Sequence, residues 1–180
     1  MSSLICNSIH TLLYEQDTPP LPITLDEFDE SCAVPFNEII QSLFLGNELG
    51  AGRLLFKDDS LDDKKNALYE RKITHILCCT SSSRTYFKDH FIYEFIPIAD
   101  EETESLAPHL SKAYAFIEEG IASGGILVHC AAGSSRSASF VIGYLMQKFS
   151  LPYERVLHFV QHQRPCVKPN SGFETQLKKI

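Results

Sequence analysis

Val128-His129-Cys130-Ala131-Ala132-Gly133-Ser134-Ser135-Arg136-Ser137 passes from an apolar run into a helical pattern within ten residues. Ile126-Leu127-Val128 reads as a short buried strand released by Gly124-Gly125, and a helix follows from about Arg136 to Phe149. Between them, small side chains and Gly133 let the backbone curl so that successive N–H groups point inward. A curl of that kind at a helix N-terminus is an anion nest. Cysteine thiols in such electropositive settings favour the nucleophilic thiolate form. Arg136, six positions after Cys130, can fold its planar fork back over the loop and grip two oxygens of one phosphate. Ser137 can donate a hydrogen bond to the sulfur. A merely structural thiol, the usual fate of a free cysteine, would require none of these neighbours.

Working outward, strands and helices alternate. Ile39 to Leu45 suits a short strand or hairpin closing at Gly46-Asn47. Ser60-Leu61-Asp62-Asp63 starts a helix, with a capping Ser and acids in the first turn, that runs to about Lys72. Ile73 to Cys79 is a compact apolar strand broken by Ser81-Ser82-Ser83, and Phe91 to Ile98 alternates as another. Ser105 is the expected cap of a helix whose Leu106, Leu110, Ala113, Ile117 and Ile121 share one face. Ser150-Leu151-Pro152 opens a helix that Arg164-Pro165 closes, and a last helix begins near Asn170-Ser171. This order predicts an α/β fold, a central mostly parallel sheet of about four to five strands flanked by helices. Ligands in such sheets bind at the carboxyl ends of the strands. Residues 1–35 read differently: Thr18-Pro19-Pro20-Leu21-Pro22 is a stiff extended segment and Asp26 to Glu30 is acidic, so 1–35 is expected to be an N-terminal extension and 36–180 the folded domain.

The chain's 180 residues suit one well-packed domain. Its 44% hydrophobic and 22% charged residues are those of an ordinary soluble protein. No apolar run approaches the roughly 20 residues of a membrane span. No basic, apolar leader precedes the domain, Ser2 offers no myristoylation site, and the terminal Lys-Lys-Ile carries no prenylation cysteine, so cytoplasm or nucleus is the expected address. Six irregularly spaced cysteines without a CxxC pair fit free thiols. A net charge of −7 argues against nucleic acid or an anionic membrane as partner. His158 and His162 have zinc-like i, i+4 spacing, but Phe159 stands where a metalloprotease motif has Glu and no third ligand is evident, so they read as structural histidines.

His129-Cys130, five residues, then Arg136-Ser137 resembles the signature of the protein tyrosine phosphatase superfamily, and the form His-Cys-x-x-Gly-x-Ser-Arg-Ser is similar to its dual-specificity subfamily. The likeness runs from about Asn37 to Leu177: Leu43-Phe44-Leu45-Gly46 resembles the family's first strand and turn, Ile73-Thr74-His75-Ile76-Leu77 its buried third strand, and Arg164-Pro165 with Pro169-Asn170-Ser171-Gly172-Phe173 and Gln176-Leu177 its closing segment. The resemblance implies a tyrosine-phosphatase-like fold with 36–180 as the catalytic domain. It implies Cys130 as nucleophile, a phosphate loop of Ala131, Ala132, Gly133, Ser134, Ser135 and Arg136, and Ser137 as the group easing departure of the sulfur. His129 would order the loop from behind.

The resemblance also implies a general acid, an Asp on the loop about 30 residues before the cysteine. Asp100, after Phe95-Ile96-Pro97-Ile98-Ala99, matches that place, while Glu101, Glu102 and Glu104 read as a solvated helix entry. No metal or other cofactor is implied. Cys78 and Cys79 read as core thiols; the rarer reading makes Cys79 a disulfide partner of oxidised Cys130. The implied substrate is a protein carrying phosphotyrosine and phosphoserine or phosphothreonine, in the manner of small atypical members with shallow sites, and a monomer is the default state. Two alternatives are a phosphatase of a non-protein substrate (phosphoinositide, RNA or glucan) and a phosphoprotein-binding module without catalysis. Relatives acting on polyanions often carry Lys or Arg within the loop; here the loop is Ala-Ala-Gly-Ser-Ser and the acid segment repels anions. Loss of catalysis usually removes the Cys, the Arg or the acid, and all three are present.

Overall fold

A computed structural model describes residues 24–54, 60–82 and 84–180. In chain order the elements are α1 (Leu25–Ala33), β1 (Phe36–Ile40), β2 (Leu43–Gly46), α2 (Leu61–Glu70), β3 (His75–Cys78), β4 (Ile92–Phe95), α3 (Ala107–Ala122), β5 (Ile126–His129), α4 (Arg136–Phe149), α5 (Tyr153–Gln163) and α6 (Ser171–Leu177). The five strands form one sheet in the order β1-β2-β5-β3-β4, with β1 antiparallel to β2 and every other pairing parallel. The chain is thus α/β with a mostly parallel sheet flanked by helices.

β5 is central, and every residue of it is buried. Its side chains alternate between faces: Ile126 and Val128 enter the core beneath α3, α4 and α5, whereas Leu127 joins Phe44, Leu68, Ile76 and Phe91 on the other face. Burial on both sides explains the unbroken apolar run of a parallel strand. Truncating such a residue to Ala costs about 2–5 kcal/mol. α4 is buried at ten consecutive positions from Ser137 to Met146, as a helix enclosed by its neighbours must be.

The register decides where chemistry can gather. Gly46 and Cys78 both pair with His129, so β2, β5 and β3 end level with one another. The segments after each strand therefore emerge along one edge of the sheet. Cys130 leaves β5 at its middle.

Several local expectations are corrected. The strand or hairpin expected over Ile39–Leu45 is a hairpin that starts earlier, at Phe36, turns at Gln41-Ser42 and ends at Gly46. Ser42 adopts φ 68° and its N–H donates to Glu38 Oε1 at 3.1 Å, a left-handed turn without the usual Gly or Asn. Ser105 does not cap α3; the N-cap is Leu106, Pro108 sits in the first turn, and the Leu106 N–H is taken by Gln176 Oε1 at 2.8 Å. The strands expected over Ile73–Cys79 and Phe91–Ile98 pair only over His75–Cys78 and Ile92–Phe95.

Of the N-terminal segment, Thr18 to Pro22 and Cys6 lie outside the described residues, as does Ser83. Residues 25–33 form α1, opened by a capping box between Thr24 and Glu27. Its far end is held by Asn47, whose Nδ2 donates to the carbonyls of Cys32 (2.7 Å) and Val34 (3.2 Å). Among the described residues no helix is long and apolar enough to cross a membrane.

Candidate active site

Strand β5 delivers Cys130 into the curl that the sequence suggests. Two donors converge on its sulfur: the Gly133 N–H at 3.3 Å and Ser137 Oγ at 3.2 Å. Cys130 is itself almost wholly buried, at 1% exposure. Gly133 carries the turn with φ 72°, and a Cβ there would stand 2.4 Å from the Gly46 carbonyl oxygen and 2.8 Å from Arg164 Nη2. The loop is also tied to the adjoining turn, where Glu48 N–H donates to the Ala131 carbonyl at 3.2 Å.

His129 braces the loop from the strand. Its Nδ1 lies 3.3 Å from the Cys130 carbonyl and its Nε2 3.0 Å from Cys78 Sγ. A carbonyl only accepts, so Nδ1 carries the proton and Nε2 accepts from the Cys78 thiol. Burial drives the His129 pKa down to about 4 and pushes the Cys78 thiol up to about 12, which keeps both neutral. Cys79 is wholly buried too, and burial, with Cys130 nearby, pushes its thiol well above the ordinary range. Both are free thiols.

Asp100 comes from the segment after β4. Its Oδ1 accepts from Ser135 Oγ at 2.6 Å and from Asn170 Nδ2 at 3.0 Å. Its Oδ2 lies 3.5 Å from Arg136 Nε. That nitrogen is buried and makes no hydrogen bond, an open donor beside the nest. The arrangement brings together a sulfur with two donors, a guanidinium with a free N–H and a carboxyl group. It can receive a tetrahedral oxyanion over the sulfur and pass a proton to or from its distal oxygen.

The structure thus gathers Cys130, Ser137, Gly133, Ser135, Arg136, Asp100 and His129. Ala131 and Ala132 form the exposed part of the curl, and the Ser134 carbonyl accepts from Lys168 N–H at 2.9 Å.

Two residues of this site carry no role in the sequence reading. Arg164, wholly buried, donates from Nε to the Gly133 carbonyl and from Nη2 to the Ala132 carbonyl, each at 3.0 Å. Its Nη1 donates to the Val34 carbonyl at 3.1 Å and Asn37 Oδ1 at 2.7 Å. Asn170 is the other. The sequence reads Arg164-Pro165 as a helix end and Asn170-Ser171 as a helix start, and their one further signal is that both fall in the segment resembling the family's closing stretch.

Comparison with known proteins agrees with this geometry. Residues 56–180 match the family described as dual specificity phosphatase, catalytic domain. A probable dual specificity protein phosphatase of Dictyostelium discoideum is 36% identical over 85% of this chain and 66% of its own length. Dual specificity protein phosphatase 1 of Arabidopsis thaliana is 35% identical over 79% of this chain and 67% of its own. The chain thus spans about two thirds of these relatives, and only 20% of mouse Slingshot homolog 3.

Among solved structures, the human tyrosine phosphatase-like serine/threonine/tyrosine-interacting protein superposes with a TM-score of 0.72 at 34% identity, covering 81% of this chain and 94% of that one. DUSP15 gives 0.69 at 32%, covering 81% and 86%. The chain belongs to the dual-specificity phosphatase family, whose members are cysteine-dependent phosphatases.

Proposed function

We propose that this chain hydrolyses phosphate monoesters on proteins, accepting phosphotyrosine and phosphoserine or phosphothreonine. The observation that carries the reading is the buried Arg136 Nε, which makes no hydrogen bond and has only the Asp100 carboxylate at 3.5 Å, six residues along the loop from a sulfur already held by Gly133 N–H and Ser137 Oγ. A buried donor without an acceptor costs about 1–3 kcal/mol. A phosphoryl oxygen in the nest would satisfy it.

The cycle has two steps. Cys130 sulfur attacks phosphorus while the P–O bond to the leaving group breaks. Asp100 gives its proton to the departing oxygen, and the nest with Arg136 holds the three equatorial oxygens. Asp100, now ionised, takes a proton from water as that water attacks the cysteinyl phosphate. The S–P bond breaks, and Ser137 stabilises the charge returning to sulfur. The proton that Asp100 gives in the first step it regains from water in the second, so the cycle restores it, and no electron transfer is needed.

The loop side chains at 131–135, none of them basic, and the acidic Glu101-Glu102 pair favour a phosphoprotein over a polyanionic lipid or nucleic acid. The free thiols support a reducing compartment, cytoplasm or nucleus.

The test is turnover of a small aryl phosphate under reductant, with EDTA present, by wild type and Cys130→Ser. Turnover that survives EDTA and vanishes in the variant is expected, with phosphopeptides preferred to phosphoinositides in a following panel. An inert wild type with a reduced thiol would overturn the reading.

A further inference from the structure

We infer that helix α6 is the dock of the acid loop, and that Asn170 and Ser135 are positioning residues that fix which oxygen of Asp100 carries the transferable proton. The inference rests on the phosphatase reading above and deepens it.

The contacts run the length of α6. At its N-cap, Asn170 Nδ2 donates to Asp100 Oδ1 at 3.0 Å. Two residues on, Gly172 lies so close to the loop that a Cβ would stand 1.9 Å from the Glu102 carbonyl oxygen. One turn further, Gln176 Nε2 donates to the Glu104 carbonyl and its Oε1 accepts from the Leu106 N–H, both at 2.8 Å. Three points on one short helix therefore hold residues 100–106 against α6.

The carboxyl itself is specified more closely. Oδ1 accepts two donors, Ser135 Oγ at 2.6 Å and Asn170 Nδ2 at 3.0 Å. An oxygen that already accepts two hydrogen bonds is the poorer place for a proton, so the acid form carries its proton on Oδ2. Oδ2 is the oxygen 3.5 Å from Arg136 Nε, on the side where phosphate would sit. Asn170 N–H donates in turn to Ser135 Oγ at 3.1 Å, which orients that hydroxyl so that its own proton points at Asp100. Ser135 thus acts on the acid through its side chain, beyond its place in the phosphate loop.

Asn170 has a second task that must be kept apart: its Oδ1 caps α6 by accepting from Phe173 N–H at 2.9 Å. Asn170→Ser retains a good N-cap while removing the amide donor. Gly172→Ala is the independent variant, since Ala is the better helix former yet its methyl must push the Glu102 carbonyl away.

Asp100 matters most when the leaving oxygen is a poor leaving group, where a positioned acid is worth about 10²–10⁴-fold. The experiment compares kcat/KM for phenyl phosphate and dinitrophenyl phosphate, alongside thermal unfolding. Asn170→Ser and Gly172→Ala are each expected to lose about tenfold on phenyl phosphate and to stay within about twofold on dinitrophenyl phosphate. Unfolding is expected to be unchanged in Asn170→Ser and to move to lower temperature in Gly172→Ala, where a backbone carbonyl must give way. In an Asp100→Asn background, Asn170→Ser is expected to cost nothing further.

Equal losses on both esters, or no loss on either, would overturn the inference and leave the phosphatase reading standing. Failure of wild type to turn over either ester would remove that reading, and this inference with it.

Discussion

Arg164 Nε donates to the Gly133 carbonyl at 3.0 Å from beneath the loop, with the whole side chain buried. The neighbouring bond from Nη2 to the Ala132 carbonyl makes the guanidinium a two-pronged support for two successive peptide groups. Those carbonyls must point down for the N–H groups of the nest to point up. The same guanidinium ties the nest to Val34 and Asn37, so the curl is held from outside α4 as well as by its helix.

Replacing Arg164 by Ala leaves the carbonyls of Ala132, Gly133 and Val34 and Asn37 Oδ1 without this donor. The Gly133 carbonyl is the buried acceptor among them, and leaving it unpaired costs about 1–3 kcal/mol; the vacated core volume adds to the loss. A destabilisation of at least about 3 kcal/mol in urea unfolding is expected. Arg164→Lys keeps the charge but loses the planar fork, so it should recover less than half of that loss.

Gly133→Ala tests the curl from above. The residue sits at φ 72°, and the added methyl would meet the Gly46 carbonyl oxygen at 2.4 Å. An L side chain in that region carries a strain of about 1–3 kcal/mol, and relief requires the loop to lift off β2. The variant should fold with a stability loss of that size and show a fall in kcat of about a hundredfold or more, since small misplacements of reacting groups are costly. Urea unfolding together with aryl phosphate turnover checks both halves; full activity would show that the curl tolerates displacement.

How much of this was legible in the sequence varies residue by residue. The strand–loop–helix order around Cys130 could be read because a buried parallel strand leaves an unbroken apolar run and α4 starts with the bounds its pattern gives, Arg136–Phe149. Asp100 could be placed only through the family resemblance, as nothing in its own spacing separates it from Glu101 and Glu102. Arg164 and Asn170 were hidden because their roles depend on contacts across long sequence separations, 31 residues from Gly133 in one case and 70 from Asp100 in the other. A charged residue before Pro reads as a surface helix end, and only tertiary packing turns Arg164 inward. The choice between a strand and a hairpin over Ile39–Leu45 stays open in the sequence for a local reason: a Ser in the left-handed region at the Gln41-Ser42 turn carries no turn signal, while Gly46-Asn47 marks the end.

His129 couples the site to pH. Its folded pKa is depressed from 6.5 to about 4, chiefly by burial, with Arg136 acting in the same direction and Glu48 opposing. Between those values the unfolded chain binds the proton more readily than the folded one, so stability rises with pH there. The contribution is fully present above pH 6.5 and is lost as pH falls toward 4. A shift of this size corresponds to about 3 kcal/mol. Urea unfolding of wild type should show that extra loss across the window, and His129→Gln, which cannot titrate, should not. Parallel pH profiles for the two proteins would rule out this site as the source.

Ser137 offers the test that separates the two chemical steps. Its Oγ donates to Cys130 Sγ at 3.2 Å from a fully buried position in the first turn of α4, and no other partner competes for that hydroxyl proton among the described contacts. A hydrogen bond to a charged group is worth about 1.5–3 kcal/mol, which is about ten- to a hundredfold in rate when the charge develops in the transition state. In the second step the sulfur leaves phosphorus and becomes charged, so Ser137→Ala should slow hydrolysis of the cysteinyl phosphate by that factor. In the first step sulfur gives up charge, and the same bond offers no advantage. The variant should therefore accumulate phosphoenzyme: rapid mixing with dinitrophenyl phosphate is expected to show a burst near one equivalent of phenol, followed by a slow steady state. A uniform slowing with no burst would mean that the serine supports the loop as a whole rather than the departing sulfur.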